Sequence, residues 1–341
     1  MAKARPVTSR DLARHAGVSQ STVSRVLAGS PHVRPETRER VLKVLEEQDY
    51  EPNALARAMK TGRTDTVGVF MTRVKSPFHA ALLDTICRKL ADTRLHMTLW
   101  NLEHDSAEFA AQAAHRNLVD GFIFTSAVQS SRVERAAVRS GTPSVLVHRA
   151  IEGLACDQVV GDNRSGAHQV ATYLAQAGHR RVALVTTGHR DASTIRDRED
   201  GFREGLEQAG VELPPELVVR ADARHRSGHA AARELLSRAQ PPTAIFTVTD
   251  LQALGVLDAA RALGIPVPEE LWVVGFDNVE MSSWESFDLT TVNQPIEELV
   301  GTAIELLQRR LTDPSAEPKI VTLPCLLVVR GSTGHTATPT I

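Results

Sequence analysis

The chain has 341 residues, enough for two or three domains of ordinary size. It is 42% hydrophobic and 23% charged, a globular composition that excludes a disordered or fibrous protein. No apolar run reaches the ~18 residues that a membrane helix needs, and the basic N-terminus lacks the apolar stretch of a signal peptide. Three widely spaced cysteines form no CxxC pair. These features predict a cytoplasmic protein that does not contact a membrane.

Charge is unevenly distributed along the chain. Residues 1–63 hold 12 Lys and Arg against 7 Asp and Glu, a net charge of +5. Because the whole chain carries −2, the remainder carries −7. A small basic head on a larger acidic body indicates that the head meets a polyanion.

The first fifty residues predict three short helices. Thr8 or Ser9 can cap the first helix, Gly17 supplies a turn, and Ser19 caps a second helix, QSTVSRVL. Pro35 begins the third helix. The residues at helical spacing that the first and third helices would bury are Leu12, Ala13 and Ala16, and Val41, Leu42 and Leu45, respectively. Helix, glycine-containing turn and helix are the pattern of a helix-turn-helix unit.

The second helix has two different faces when its residues are placed at about 100° each. Val23, Val26 and Leu27 define the side expected to be buried. The opposite side carries hydroxyl, amide and guanidinium groups and no carboxylate, from Ser21, Ser24 and Arg25 with Gln20 on the flank. Such groups donate to base edges and phosphates in a major groove. The alternative is an ordinary solvated face; the turn and the basic surroundings favour DNA.

The segment NALARAMKTGRT predicts a short helix that Asn53 caps and Gly62 ends, with Leu55 and Met59 on one face. About seven residues fall short of the ~12 that a helix needs for stability alone. Its basic residues and apolar tip suit a minor-groove wedge, and the alternative is a simple linker. The predicted divisions of the chain are a DNA-binding head at 1–49, a hinge at 50–63 and a body at 64–341.

In the body, β-rich apolar runs alternate with helical stretches from Thr66 onward, which predicts parallel α/β sheets. Three apolar strands recur later in the chain in the same order and with slowly growing spacing: 67–69 and 182–184, 123–125 and 245–247, and 145–147 and 273–275. The repeat predicts two doubly wound lobes with a ligand cleft between them. We expect the N-terminal lobe at 64–160 and 294–322, and the C-terminal lobe at 163–291 and 324–341.

Ligands of open parallel sheets bind beyond the carboxyl ends of the strands. The residues that stand just past predicted strands are Ser76, Phe78, His148, Asp162, the stretch from Thr194 to Arg198, Thr249, Asp250 and Asp277. Carboxylates combined with an arginine can hold polyols, sugars or heterocycles. For each aspartate the alternative is a turn or a helix cap.

Four motifs of the first seventy residues occur in a fixed order: AGVSxxTVSRVL, VRPETRERV, YEPNALAR and TVGV. Together they resemble the head and hinge of the lac-repressor (LacI/GalR) family of bacterial regulators. The resemblance implies base-reading roles for Gln20, Ser21 and Arg25. It implies phosphate or sugar contacts for Thr8, Ser19, Thr22, Ser24, Tyr50 and Asn53. It also implies minor-groove positions for Leu55, Ala56 and Met59, where methionine replaces the family's leucine.

Five motifs of the body extend the resemblance to nearly the whole chain: QAGHRRVALVTTG, DREDGFREGL, PTAIFTVTDLQALGVL, VPEELWVVGFDN and LTTVNQP. The family's core is similar to periplasmic sugar-binding proteins. Ala223 stands where several members stack an aromatic on the ligand, which argues against a purine or the flat face of a pyranose and leaves the effector open. Trp284 is the candidate substitute. With the strand-end residues, the predicted effector site comprises Phe78, Asp162, Arg198, Thr249, Asp250, Asp277 and Trp284.

The sequence lacks the GxGxxG, GxxxxGK[ST], HExxH and GxSxG motifs. His225 and His229 can share a helix face, but no third ligand is near them in the sequence. We therefore predict no catalysis, no cofactor and no metal. The expected function is that of a dimeric repressor of a pseudo-palindromic operator, controlled by a sugar or sugar derivative. The alternatives are a solute-binding protein, opposed by the missing export signal, and an enzyme on a doubly wound fold.

Overall fold

A computed structural model describes residues 7–27, 30–48, 50, 58, 62–101 and 118–334. The chain divides into two compact units, Met1–Thr64 and Asp65–Ile341, the head and the body. The predictions for Asn53, Leu55, Ala56 and Met59 lie outside the described residues. Within the described part of the chain, no helix is both long and apolar enough to cross a membrane.

The head, in the described part of residues 7–48, forms α1 (Ser9–His15), α2 (Gln20–Leu27) and α3 (Pro35–Glu47), as predicted. Its core consists of Leu12, Ala13, Ala16, Val23, Val26 and Val41. The prediction was wrong for two leucines, since Leu27 is 38% and Leu42 50% exposed. Both lie at the margin of an apolar face, where a helix turns away from its neighbours.

Local hydrogen bonds fix the ends of the first two helices. The hydroxyl of Thr8 accepts from the amide of Asp11 at 3.3 Å, and the Asp11 carboxylate accepts from the amide of Thr8 at 3.0 Å. This reciprocal pair is a capping box. Ser19 Oγ accepts from the amide of Thr22 at 3.2 Å and caps α2. Gly17 adopts a φ of 63°, which suits a residue without a side chain.

The body alternates strands and helices along its length. Its first part contains β1 (Thr66–Met71), α4 (Pro77–Ala91), β2 (His96–Asn101), β3 (Gly121–Phe124), α5 (Val133–Arg139), β4 (Ser144–Val147) and β5 (Asp157–Gly161). Its middle part contains α6 (Asn163–Gln176), β6 (Val182–Thr186), α7 (Ser193–Gln208), β7 (Val218–Arg220), α8 (His225–Leu236), β8 (Ala244–Thr247), α9 (Asp250–Leu263) and β9 (Trp272–Val274). Its last part contains β10 (Thr291–Asn293), α10 (Ile296–Thr312), β11 (Ile320–Leu323) and β12 (Leu326–Val328).

Two parallel sheets organise the body into two lobes. The strand order is β11-β5-β4-β3-β1-β2 in the N-terminal lobe and β9-β8-β6-β7 in the C-terminal lobe, where an antiparallel pair, β10-β12, is added. Strands β4-β3-β1-β2 and β9-β8-β6-β7 match one for one, so the predicted duplication is confirmed. The predicted alignment of 67–69 with 182–184 is wrong by one residue. Val69 pairs with Ile123 in the N-terminal lobe, but the residue that pairs with Ile245 in the C-terminal lobe is Ala183 and not Leu184.

The described chain crosses between the lobes at three places, near residues 162, 294 and 324. Helices α6 and α7 of the C-terminal lobe pack closely. A Cβ atom on Gly201 of α7 would lie 2.1 Å from the carbonyl oxygen of Arg164 on α6, so only glycine permits this approach. The contact sets α7 beside the start of α6 and brings Arg198 to Asn163.

Candidate functional site

The candidate DNA-binding face of the head lies on α2. Gln20, Ser21 and Arg25 are exposed, as predicted, and Thr22 and Ser24 are half-buried. The side-chain amide of Gln20 donates to Ser9 Oγ at 2.9 Å, which links the start of α2 to α1. This surface offers hydroxyl, amide and guanidinium groups to a ligand.

Three further residues assigned to the DNA backbone have structural partners in the head. Thr8 and Ser19 use their hydroxyls in helix caps. Tyr50 is partly buried against the head's core. The assignment of all three to DNA stays a prediction.

A cavity of about 410 Å³ lies between the lobes of the body, in the size range of small-molecule sites. It is found at the carboxyl ends of the strands, where the sequence placed the ligand. Four predicted effector residues line it: Phe78, Arg198, Thr249 and Asp277. The strand-end residues Ser76, His148 and Thr194 and the predicted departure Ala223 also line it.

Three predicted effector residues do not line this cavity, which corrects the predicted set. Asp162 caps α6, where its Oδ1 accepts from the amide of Ser165 at 2.9 Å. Asp250 is completely buried and accepts from the amide of Val279 at 2.9 Å and from the Thr291 hydroxyl. Trp284 is 47% exposed on the surface of the body. Asp162 and Asp250 both follow a strand, but Asp162 caps a helix and Asp250 accepts hydrogen bonds in the buried interior.

Arg198 is the most constrained side chain of the cavity wall, with 2% of its surface exposed. Its Nε donates to Asn163 Oδ1 at 2.8 Å. Its Nη1 donates to the Val248 carbonyl oxygen at 2.5 Å and lies 3.0 Å from Asp277 Oδ1. The guanidinium carbon lies 3.8 Å from the centre of the Phe276 ring, a cation–π contact. Its Nη2 is buried and finds no partner among the described residues.

A hydrogen-bonded chain runs from Arg198 across to the other lobe. Asp277 Oδ1 also accepts from Gln294 Nε2 at 2.7 Å, and Gln294 Oε1 lies 3.1 Å from His148 Nδ1. Since the amide oxygen can only accept, His148 donates from Nδ1. The His148 ring packs on Phe78 with centroids 4.5 Å apart. Burial lowers the pKa of His148 well below its usual value, so the ring is neutral.

Burial also shifts the two aspartates at the end of this chain. It raises the pKa of Asp277, against the opposing attraction of Arg198. It raises the pKa of Asp250 to about 7, with a further contribution from the charge of Asp277. Because the two buried carboxylates repel each other, the charge of Asp277 favours the protonated form of Asp250.

The sequence analysis missed several polar residues of the wall. Arg73 and Arg149 each stand two residues beyond a strand, β1 and β4, so a count of every polar residue within two positions of a strand end would have found them. Arg149 Nη1 donates to the Ser126 carbonyl oxygen at 3.3 Å, and Arg73 donates to the Ala223 carbonyl oxygen of the other lobe. Gln294 was also not predicted. It can bond both His148 and Asp277 only because the chain crosses from one lobe to the other at this point.

Strained backbone conformations are found in the cavity wall. Arg73, His148 and Asp277 have φ values of 55°, 76° and 128°, although none is glycine. Each such conformation costs on the order of 1–3 kcal/mol and persists where the surrounding structure enforces it, often at a functional site. Their clustering here supports a function for the cavity.

A helix-turn-helix head joined to a two-lobed α/β body with an internal cavity defines a DNA-binding regulator controlled by a small molecule. Residues 8–53 match the family model "Bacterial regulatory proteins, lacI family", and residues 171–333 match "Periplasmic binding protein-like domain". The chain belongs to the lacI family of bacterial regulatory proteins, which confirms the resemblance and the fold class.

Known proteins resemble the chain over nearly its whole length. The ribose operon repressor of Escherichia coli K12 is 33% identical over 334 residues, covering 95% of this chain and 99% of that protein. Catabolite control protein A of Priestia megaterium is 32% identical over 329 residues, covering 96% and 99%. A solved complex of the transcriptional regulator CelR with cellobiose is 32% identical with a TM-score of 0.73, covering 96% of this chain and all of that one.

Proposed function

We propose that the protein is a homodimeric repressor that binds a pseudo-palindromic operator and is controlled by a sugar or sugar derivative in the interlobe cavity. The observation that carries this is the combination, in one chain, of the exposed polar face of α2 and a cavity lined by Arg198 and Asp277. The similarity to a ribose operon repressor and to a regulator solved with cellobiose supports a sugar-like effector. Since the target is bacterial DNA, we expect the protein to act in the cytoplasm.

In the proposed complex, the α2 helices of two heads occupy successive major grooves. Gln20, Ser21 and Arg25 would read base edges, and the Arg25 guanidinium matches the paired acceptors of guanine. Contacts to phosphate or sugar would come from Thr8, Ser19, Thr22, Ser24, Tyr50 and Asn53. Backbone contacts fix the register, and base contacts supply the specificity.

The family motif further assigns Leu55, Ala56 and Met59 to the minor groove between the two half-sites. Replacement of Met59 by glycine removes the apolar wedge. We therefore expect Met59→Gly to weaken operator binding, measured by mobility shift, and to leave effector binding to the body unchanged. If Met59→Gly leaves both operator binding and effector binding unchanged, the assignment is wrong.

Contacts across the mouth of the cavity provide an element for the effector to act on. The amide of Ser130 donates to Asp191 Oδ1 at 3.2 Å, and the amide of Ala150 donates to Ser193 Oγ at 2.9 Å. Both join one lobe to the other. A ligand that binds both walls would stabilise this closed arrangement. The coupling must be reciprocal, so operator and effector alter each other's affinity by the same factor.

The test is selection of duplexes from a random pool with the full chain, followed by sequencing. We expect enrichment of an inverted repeat, two chains per duplex by sedimentation, and affinity that falls steeply with salt. Sugars and their derivatives are then screened for a change in the affinity for that repeat, since an inducer would lower it and a corepressor would raise it. Failure to enrich any duplex at low salt, with and without metabolites, would refute the proposal and favour a solute-binding protein.

A further inference from the structure

Positive charge is concentrated in the wall of the cavity. Arg73, Arg149 and Arg198 all line it. Arg198 is paired with Asp277 at 3.0 Å. Among the described residues, no carboxylate lies within 4.0 Å of the guanidinium group of Arg73 or Arg149. Arg73 and Arg149 therefore form no ion pair of their own in this part of the chain, and the one described carboxylate whose charge acts on both, Asp277, is already paired with Arg198.

The other two carboxylates of the wall are already engaged. Glu134 accepts from the Ser131 hydroxyl, and burial raises the pKa of Glu134, which favours its neutral form. Asp191 accepts from the amide and the hydroxyl of Ser130 at the mouth. Neither Glu134 nor Asp191 forms an ion pair with Arg73 or Arg149.

Several buried donors in the wall lack acceptors. Arg198 Nη2, Arg149 Nε and the two ring nitrogens of His79 have no hydrogen-bond partner within the described part of the chain. A neutral imidazole carries one N–H, so His79 adds one donor and one acceptor to this set. Buried polar groups in folded proteins are nearly always paired. A cluster of unpaired donors around one cavity therefore indicates a ligand rich in acceptors.

Electrostatic effects on these side chains are consistent with crowded cations. Burial and the charges of Arg149, Arg73 and Arg198 together lower the pKa of His79 to about 3, so the ring is neutral. Burial and the charges of Arg73 and Arg198 lower the pKa of Arg149 to about 10, against the opposing attraction of Asp277. Like charges that are held together in this way are stabilised by an anion placed between them.

We propose that the effector carries an oxyanion, a carboxylate or a phosphate, that Arg149 and Arg73 bind in the N-terminal lobe opposite Arg198. The guanidinium fork pairs with either group through two parallel hydrogen bonds. The remaining wall offers the hydroxyls of Ser76, Ser126, Thr72, Thr187, Thr194 and Thr249 to a polyol. The effector class is thus a sugar acid or a sugar phosphate. This inference rests on the proposed function for the cavity's role as the effector site.

The experiment measures thermal unfolding of the full chain without DNA, at fixed ionic strength, with matched ligand pairs. The carboxylate arm compares gluconate with sorbitol, glucuronate with glucose, and galacturonate with galactose. The phosphate arm compares glucose 6-phosphate with glucose and ribose 5-phosphate with ribose. We expect an acid of one arm to raise the melting temperature and its neutral partner to leave it unchanged, because only the acid binds. The arm that responds identifies the oxyanion.

Three variants locate the effect. Arg149→Gln should weaken binding of the active acid about tenfold or more, measured by calorimetry. The same variant should raise the melting temperature of the unliganded chain, since it removes a desolvated cation that forms no ion pair with any described residue. Arg149→Lys keeps the charge but loses the fork and should restore part of the affinity. Arg139→Gln, on the exposed end of α5, is the matched control and should change neither quantity.

Three results would overturn the inference: a neutral sugar that stabilises as much as its acid, no stabilisation by any acid, or an acid effect that survives both Arg149→Gln and Arg73→Gln. Duplex selection on the same preparation separates the two proposals. A chain that binds an acid but no duplex would refute the proposed function alone. A chain released from its operator only by neutral sugars would refute the oxyanion alone.

Discussion

The head and the body hold their candidate functional side chains in opposite environments. In the head, Gln20, Ser21 and Arg25 are exposed on a short helix. In the body, Arg198 and Asp277 are buried and tied into a hydrogen-bonded network. A DNA duplex brings a large charged surface to an exposed helix, whereas a small metabolite must be enclosed by preorganised groups. Substitutions of exposed head residues that cap no helix should therefore alter binding alone, and substitutions in the cavity should alter binding and stability together.

The largest expected effect is that of Arg198→Ala. It leaves the buried carboxylate of Asp277 without its cation, which should cost about 3–5 kcal/mol of the free energy of unfolding of the body. It should also abolish the change that the effector causes in operator affinity. Denaturant unfolding and a mobility-shift assay measure the two consequences.

Two further variants separate stability from response. Arg196→Ala on the same helix removes a half-exposed arginine paired only with its neighbour Asp197, and should cost less than about 1 kcal/mol. The double variant Arg198→Met with Asp277→Asn removes both charges and should recover most of the stability without the response. An effector response that persists in the double variant would contradict the role of this pair.

The second expected effect concerns pH and Asp250. Its pKa of about 7 in the folded chain exceeds the ~3.9 of an unfolded aspartate, so the folded state keeps a proton that the unfolded state loses. The contribution of Asp250 to stability is therefore complete below about pH 4 and is lost as the pH rises towards 7. The substitution Asp250→Asn would avoid this loss: its Oδ1 can accept from the amide of Val279, and its Nδ2 can donate to the Thr291 hydroxyl oxygen, which reverses the direction of that bond.

The measurement for Asp250→Asn is urea unfolding at several pH values. As the pH rises from about 4 to about 8, the free energy of unfolding of the variant should increase relative to that of the wild type by roughly 2–4 kcal/mol. Effector binding provides the comparison, since Asp250 lies outside the cavity wall. A stability difference that does not vary with pH would show that Asp250 is not protonated in the folded chain.

The third expected effect belongs to the head alone. Arg25→Ala should cost about 1–3 kcal/mol of operator affinity and relax the preference at one base pair. The free energy of unfolding should change by less than about 0.5 kcal/mol, because the side chain is exposed. Arg40→Ala, on an exposed position of α3, is the control and should leave the base preference intact. An equal loss on all sequences would make Arg25 a phosphate contact instead.

The sequence predicted those features of the structure that depend on local patterns. The bounds of the head's helices follow from caps and helical spacing, as at Thr8, Ser19 and Pro35. The paired sheets follow from the recurrence of strands. Arg198 and Asp277 were found because ligands of parallel sheets collect at strand ends and because the family motifs mark them.

The remaining features depend on the direction in which side chains point and on distant parts of the chain. Asp162 and Asp250 follow strands but point away from the cavity, and no local pattern separates them from Asp277. Arg149 was missed because the strand-end rule was applied one residue too early. Gln294 joins the two lobes only because the chain crosses between them there. Such residues require the folded structure.

The smallest expected effect tests whether binding and stability can be separated within the head. Ser19 Oγ caps α2 through the amide of Thr22, and the same exposed hydroxyl is assigned to a DNA phosphate. Ser19→Ala should lower the local stability of α2 by about 1 kcal/mol, measured as faster amide hydrogen exchange in the full chain, and should weaken binding to all duplexes equally.

Ser19→Asp distinguishes the two roles of this residue. Aspartate caps a helix as well as serine, and its charge favours the N-terminus of α2, so the exchange rates of α2 should return to those of the wild type. The same charge repels a phosphate, so DNA binding should fall below that of Ser19→Ala. If Ser19→Asp instead binds DNA as tightly as the wild type, Ser19 serves only as a cap and does not face the duplex.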